Sequence, residues 1–127
     1  MYDLNVDAHF AAAHCLIKYP GKCADMHGHT WGVTATVRAE DLDEIGMCLD
    51  FKKIARALDE VVDRFDHRSL NDMPEFAEIN PTAENISRII FDDLSQRIDT
   101  DQARVVAVTV RESDRYRVTY SRTSADV

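Results

Sequence analysis

The sequence predicts an α+β domain in which an antiparallel four-stranded sheet carries two helices on one face. Two segments near the N-terminus alternate apolar and polar residues, and alternation returns near the C-terminus. Between them, two segments repeat apolar residues every three or four positions, as amphipathic helices do. The element order is therefore ββααββ, and 127 residues suit a single domain, residues 1–127, with one core.

The strands follow from period-two alternation and from β-branched residues. In the first strand, Leu4, Val6, Ala8 and Phe10 alternate with polar residues. The four strands are predicted at residues 2–13, 29–38, 105–110 and 116–120, with a tight turn at 113–115 between the last two. Four strands leave sheet edges that must be covered, so we expect subunits to associate.

Each helix is predicted from a capping residue followed by an apolar stripe. Asp50 is the expected N-cap of the first helix and Thr82 that of the second, where Pro81 keeps the preceding residue extended. The buried stripe of the first helix is predicted as Phe51, Ile54, Leu58, Val61, Val62 and Phe65. That of the second is predicted as Ile86, Ile89, Ile90, Leu94 and Ile98.

Composition excludes several classes of partner and compartment. A net charge of −8 disfavours nucleic acid and anionic membrane surfaces as partners, and no apolar run is long enough to span a bilayer. The first residues lack the features of a secretory signal, so we expect a cytoplasmic protein with reduced thiols. Cys15 and Cys48 have apolar neighbours and are predicted to be small buried residues.

The segment Cys23-Ala24-Asp25-Met26-His27-Gly28-His29 brings together three reactive side chains. Residues i and i+2 of a strand point to the same side, so His27 and His29 can face one point. His14, at the end of the first strand, is a candidate third ligand. Three imidazoles would leave a fourth zinc position open, as catalytic sites do. The alternative is a closed structural site in which the Cys23 thiolate is the fourth ligand.

Three further positions carry chemistry of lower specificity. Asp66 and His67 follow the first helix; a carboxylate can orient an imidazole, but adjacent residues rarely bond in this way, and an exposed helix end is the simpler interpretation. Glu112 ends the third strand and either faces solvent or lines a pocket. His9 lies on the polar side of the first strand and is given no role.

Six stretches together resemble the 6-pyruvoyl-tetrahydropterin synthase family, in order and in spacing. They are Phe10-Ala11-Ala12-Ala13-His14, Cys23-x3-His27-Gly28-His29, Leu49-Asp50-Phe51, Asp66-His67-x2-Leu70-Asn71, Asn80-Pro81-Thr82-Ala83-Glu84-Asn85 and Val110-Arg111-Glu112-Ser113. The three-residue spacer after Cys23 resembles the bacterial branch that forms 6-carboxy-5,6,7,8-tetrahydropterin in queuosine (7-deazaguanine) biosynthesis. The pyruvoyl-forming branch typically has a longer spacer.

The resemblance implies a role for each motif residue. His14, His27 and His29 would bind a catalytic Zn²⁺, and Cys23 would transfer protons at the substrate side chain. Asp66 and His67 would supply a second acid–base group, from a neighbouring subunit. Glu112 would anchor the pterin ring, with Thr82 and Ala83 as further contacts. The implied tunnelling fold joins strands across three subunits into a barrel, and two trimers form a homohexamer.

The implied reaction converts 7,8-dihydroneopterin triphosphate and water to 6-carboxy-5,6,7,8-tetrahydropterin, acetaldehyde and triphosphate. Lys18, Lys22 and Arg68 are candidates to hold the triphosphate. Two alternatives remain open: a 6-pyruvoyl-forming synthase with the same site, and a zinc-stabilised pterin- or purine-binding module without turnover. The identity of the product separates the first alternative, and a closed metal site would favour the second.

Overall fold

A computed structural model describes the backbone of residues 1–18, 22–23 and 25–122, and their side chains except at positions 18, 22 and 23. The strands are β1 (Tyr2–His14), β2 (Ile17–Lys18), β3 (Lys22–Cys23), β4 (His27–Ala39), β5 (Arg68–Ser69), β6 (Ala103–Arg111) and β7 (Arg117–Ser121). The helices are α1 (Phe51–Asp63) and α2 (Ala83–Ile98). The α+β class and the two central helices are confirmed.

The main sheet has the order β5-β1-β4-β6-β7. The four long strands pair antiparallel as predicted, whereas the two-residue β5 adds a parallel edge beside Ala12 and Ala13. The prediction of a purely antiparallel four-stranded sheet is therefore wrong at this edge. A separate two-stranded sheet, β2 with β3, lies between the long strands in sequence. Such short strands carry no detectable periodicity.

Both helices cover one face of the sheet, and the core lies between the two layers. Trp31, Val33, Ala35 and Val37 of β4 are fully buried there, as period-two alternation requires. The N-caps are those predicted: the Asp50 carboxylate accepts from the amide of Lys52, and the Thr82 hydroxyl accepts from that of Asn85. Phe51 is 58% exposed, so its predicted place in the buried stripe is wrong. It is the first residue of α1.

The other face of the sheet is polar and is bridged by side chains of neighbouring strands. Asp3 pairs with Arg38, the Thr36 hydroxyl donates to Asn5, and the Arg111 guanidinium donates to the Thr34 hydroxyl. Each bridge joins residues on adjacent strands, so this face needs no apolar cover. Among the described residues, no helix is long and apolar enough to span a membrane.

Candidate active site

Strand pairing brings the three predicted metal ligands together at one end of the sheet. His14 and His27 are partners in the β1–β4 register, and His29 lies opposite Ala12. All three side chains project from the helix-covered face, beyond the last core residue of that row, Trp31. Its ring packs edge-on against His14 and His29, with centroids 4.8 and 5.4 Å apart. The core therefore supports the cluster from below.

Two histidines are fixed in the same tautomer. Nδ1 of His14 donates to the carbonyl of Pro81, and Nδ1 of His27 donates to the carbonyl of Asp25, both at 2.8 Å. A carbonyl only accepts, so in the neutral rings each Nε2 carries a lone pair. These two Nε2 atoms are 3.1 Å apart. Two lone pairs at that distance repel, and a cation between them would remove the repulsion.

The third ring is also poised to bind a metal. Nε2 of His29 is buried and has no hydrogen-bond partner among the described residues, although Oε1 of Glu112 approaches to 3.0 Å. Leaving a buried polar atom unsatisfied costs about 1–3 kcal/mol. Burial lowers the pKa of His29, and this effect outweighs the Glu112 carboxylate, which acts to raise it. The ring is thereby held neutral, the form in which imidazole binds metals.

Glu112 completes a four-atom cluster with the three rings. Its Oε1 lies 3.7, 3.9 and 3.0 Å from Nε2 of His14, His27 and His29, and the four potential ligand atoms lie within 4.8 Å of one another. Tetrahedral zinc with bonds of about 2.0–2.1 Å has ligand–ligand edges of about 3.3 Å. The observed distances bracket that edge. The three imidazoles therefore fit Zn²⁺ in size and in chemistry, with the Glu112 carboxylate beside them.

Asp66 and His67 form a hydrogen-bonded pair outside this cluster. Oδ2 of Asp66 lies 2.8 Å from Nδ1 of His67, so the expectation that adjacent residues would not pair is wrong. The reason is the backbone of His67, whose φ of +58° turns its ring back onto the preceding carboxylate. The His67 amide bonds to the carbonyl of Ala11 and holds this conformation.

The surroundings of this pair determine the charge of the Asp66 carboxylate and the side to which the His67 ring faces. The Ala11 amide, donating to Oδ1 at 2.8 Å, and then the His67 ring lower the pKa of Asp66. The carboxylate thus stays ionised and can orient the imidazole. The His67 side chain is 83% exposed, so within one subunit it faces solvent rather than the histidine cluster.

The remaining predicted site residues fall into three groups. The side chains of Cys23, Lys18 and Lys22 lie outside the described residues, although the backbone of Cys23 pairs with Ile17. The Thr82 hydroxyl caps α2 and Ala83 is 8% exposed, so both have structural roles here and their contact with a pterin stays a prediction. Arg68 and His9 are exposed.

The cysteines differ in part from expectation. Cys15 is buried, as predicted, but it is disulfide-bonded, so the prediction of a reduced thiol is wrong at this position. Cys48 is a free thiol and is half-buried.

Sequence reasoning assigned no role to Asn71 and Asn80, which contact the chain just after His14. The amide of Asn71 bonds to both backbone groups of Cys15, and that of Asn80 to both backbone groups of Ile17. These contacts span 56 and 63 positions, so no local pattern reveals them. The only sequence signal was that each asparagine stood in a stretch of the family resemblance.

Comparisons with known proteins identify the family of the chain. The family model of 6-pyruvoyl tetrahydropterin synthase matches residues 3–123. The 6-carboxy-5,6,7,8-tetrahydropterin synthase of Bacillus subtilis is 33% identical over 119 residues, covering 88% of this chain and 80% of its own. A dihydroneopterin monophosphate aldolase of Pyrococcus furiosus is 34% identical over 94 residues, covering 74% and 75%.

A solved structure extends the likeness to three dimensions. The 6-pyruvoyl tetrahydropterin synthase of Caenorhabditis elegans superposes with a TM-score of 0.82 at 26% identity, and the match covers 96% of both chains. The fold is thus that of the tunnelling-fold synthases predicted from the motifs. With the family model covering nearly all of its length, the chain belongs to the 6-pyruvoyl tetrahydropterin synthase family.

Proposed function

We propose that the protein is a zinc-dependent 6-carboxy-5,6,7,8-tetrahydropterin synthase, a lyase acting as a single domain over residues 1–127. It converts 7,8-dihydroneopterin triphosphate and water to 6-carboxy-5,6,7,8-tetrahydropterin, acetaldehyde and triphosphate. The observation that carries the proposal is the convergence of three imidazole nitrogens, two of them with their Nε2 atoms 3.1 Å apart. The similarity to the Bacillus subtilis enzyme and the three-residue spacer support the carboxy-forming outcome.

His14, His27 and His29 would hold the ion, which when bound acts as a Lewis acid toward the side-chain oxygens of the substrate and acidifies the neighbouring C–H groups. Cys23, as a thiolate, takes a proton from the side chain. His67, oriented by Asp66, gives or takes the second proton. Glu112 is 35% exposed and lies at the mouth of the cluster, where its carboxylate can accept two hydrogen bonds from a pterin ring.

The exposed edges of the sheet support the proposed assembly. The outer edge of β7 has no partner strand among the described residues, and β5 pairs with only two residues of β1. Strand pairing between subunits would cover both edges and form the barrel of a homohexamer. It would also bring the exposed His67 of one subunit toward the cluster of another. We place the enzyme in the cytoplasm, in queuosine biosynthesis, with a pterin triphosphate as its small-molecule partner.

The pyruvoyl-forming reaction is the second candidate, favoured by the Caenorhabditis elegans structure. The decisive experiment incubates the zinc-loaded full chain with 7,8-dihydroneopterin triphosphate and identifies the pterin by mass spectrometry, while alcohol dehydrogenase and NADH report acetaldehyde. A thiol reductant is present, because the mechanism needs Cys23 as a free thiol and Cys15 is disulfide-bonded. Carboxytetrahydropterin with stoichiometric acetaldehyde is expected. A product that keeps all three side-chain carbons would establish the pyruvoyl-forming reaction instead.

Two cysteine variants test the mechanism. Cys23→Ala should reduce turnover by at least about 100-fold, the usual scale of a lost general acid–base group, while the zinc content is kept. Cys48→Ala, a change at the half-buried free thiol, is the matched control and should retain turnover. Full activity of Cys23→Ala would remove the thiol from the mechanism. Unchanged zinc content with no product from any variant would favour a binding module.

A further inference from the structure

The chain leaves the main sheet directly after the metal ligand His14, and two asparagine side chains take over the pairing of its backbone. The Cys15 amide donates to Oδ1 of Asn71, and Nδ2 of Asn71 donates back to the Cys15 carbonyl, both at 2.9 Å. Two residues later, the Ile17 amide donates to Oδ1 of Asn80 at 2.8 Å. Nδ2 of Asn80 donates to the Ile17 carbonyl at 3.1 Å.

This pattern reproduces the edge of a β-strand with side chains. In an extended chain, alternate residues present both N–H and C=O to the same edge, and a neighbouring strand satisfies both. A carboxamide offers one acceptor and one donor side by side, so it can replace one rung of such a ladder. An aspartate cannot donate to the carbonyl. A carboxamide is therefore needed at each position for both hydrogen bonds to form.

We call each asparagine with its two backbone hydrogen bonds a clamp. The second clamp, Asn80 on Ile17, also contacts the start of α2. The carbonyl of Asn80 accepts from the amide of Thr82 and from Nδ2 of Asn85, both at 2.9 Å. The next carbonyl, that of Pro81, accepts from the ring of His14. Residues 80–81 thus make both contacts. The Pro81 carbonyl holds the ring of His14, and the Asn80 side chain holds the backbone of Ile17.

The clamped residue is itself paired with the strand that carries the proposed catalytic thiol. Ile17 of β2 and Cys23 of β3 are partners in the antiparallel register. We propose that Asn71 and Asn80 are positioning residues, which fix the backbone of Cys23 relative to the metal cluster through Cys15 and Ile17. The catalytic consequence rests on the proposed role of Cys23; the positioning itself does not.

Because the contact between Asn80 and Ile17 is exposed, the effect of Asn80 on the position of the strand can be measured separately from its effect on stability. Ile17 is 47% exposed, so water can replace the Asn80 amide at its backbone groups, and the stability lost is small. Water cannot restore the position of the strand. A displacement of about 1 Å at a reacting group can cost about 100-fold in rate. Asn80→Ala should therefore lower kcat far more than it lowers the melting temperature.

The test compares Asn80→Ala with Asn5→Ala, which removes an asparagine side chain that accepts from Thr36 on the polar sheet face. Both proteins are reduced, loaded with zinc and assayed for kcat, KM and melting temperature. The rate of iodoacetamide alkylation of Cys23 is followed against pH by mass spectrometry. Trypsin cleaves after Lys18, Lys22, Arg38 and Lys52, so Cys15, Cys23 and Cys48 fall in different peptides.

For Asn80→Ala we expect kcat to fall 10–100-fold with KM within about threefold of wild type. The alkylation midpoint should move toward the ordinary thiol pKa of about 8.5, because the backbone that carries the thiol loses its fixed position relative to the metal cluster. Asn80→Asp keeps the bond from the Ile17 amide, so its kcat and alkylation midpoint should lie between those of Asn80→Ala and Asn5→Ala. This variant replaces Asn80→Ala in the test if the alanine variant does not fold. A lower melting temperature with the kcat and alkylation profile of Asn5→Ala would overturn the proposal. The alkylation profile decides even if no pterin product is found.

Discussion

Replacing Glu112 by glutamine tests whether its carboxylate belongs to the metal centre. The substitution keeps the size of the side chain and removes one negative charge 3.0–3.9 Å from the three ligand nitrogens. Two unit charges about 4 Å apart interact by about 4 kcal/mol at an effective dielectric of 20. The side chain is 35% exposed, so solvent reduces this to about 1.5–3 kcal/mol. That corresponds to a 10–100-fold weaker Kd for zinc.

The assay is a competition titration against a chromophoric zinc chelator at constant ionic strength. Visible absorption of the cobalt-substituted protein reports the coordination number independently of turnover. Glu40→Gln is the control for the lost charge, since this exposed residue follows β4 at the end opposite His27, roughly 40 Å away along the strand. Equal zinc affinities and cobalt spectra for the two variants would refute the place of Glu112 beside the metal.

Two further predictions concern stability. The pKa of Asp66 is lowered in the folded state, so its ionised form stabilises the protein above the unfolded pKa of about 3.9 and this contribution is lost as the pH falls further. Urea denaturation should therefore show Asp66→Asn less stable than wild type at pH 7, with a gap that narrows as the pH falls below about 3.9, and a gap of constant size would contradict this assignment. Thr82→Ala removes the hydroxyl that accepts from the Asn85 amide, and should cost about 1 kcal/mol in the same measurement. A loss within experimental error would show that the cap is replaced by solvent.

Much of the fold and the metal cluster was predictable because both depend on period-two alternation. His27 and His29 share a face for the same reason that Trp31 and Val33 do, and His14 follows from hairpin pairing. The short strands β2, β3 and β5 were not predictable, since two residues carry no period. β5 pairs with the edge of β1, and β2 and β3 pair with each other.

The features that sequence reasoning missed depend on distant partners. The Asp66–His67 bond needs a positive φ, which is fixed by the backbone of Ala11 more than fifty positions earlier. The contacts of Asn71 and Asn80 likewise join the segment between α1 and α2 to the chain that follows β1. Conformations selected by long-range contacts leave no trace in local composition, whereas alternation does.

Because His14 pairs directly with His27, a metal ion bound by the proposed ligands would act as a check on strand alignment. A slip of one residue in the β1–β4 hairpin would turn one strand's ligand to the opposite face, and a slip of two would move it about 7 Å along the strand. Only one alignment of these two 13-residue strands can therefore bind the ion. Zinc present during refolding should select that alignment, linking the yield of native hairpin to the concentration of free metal.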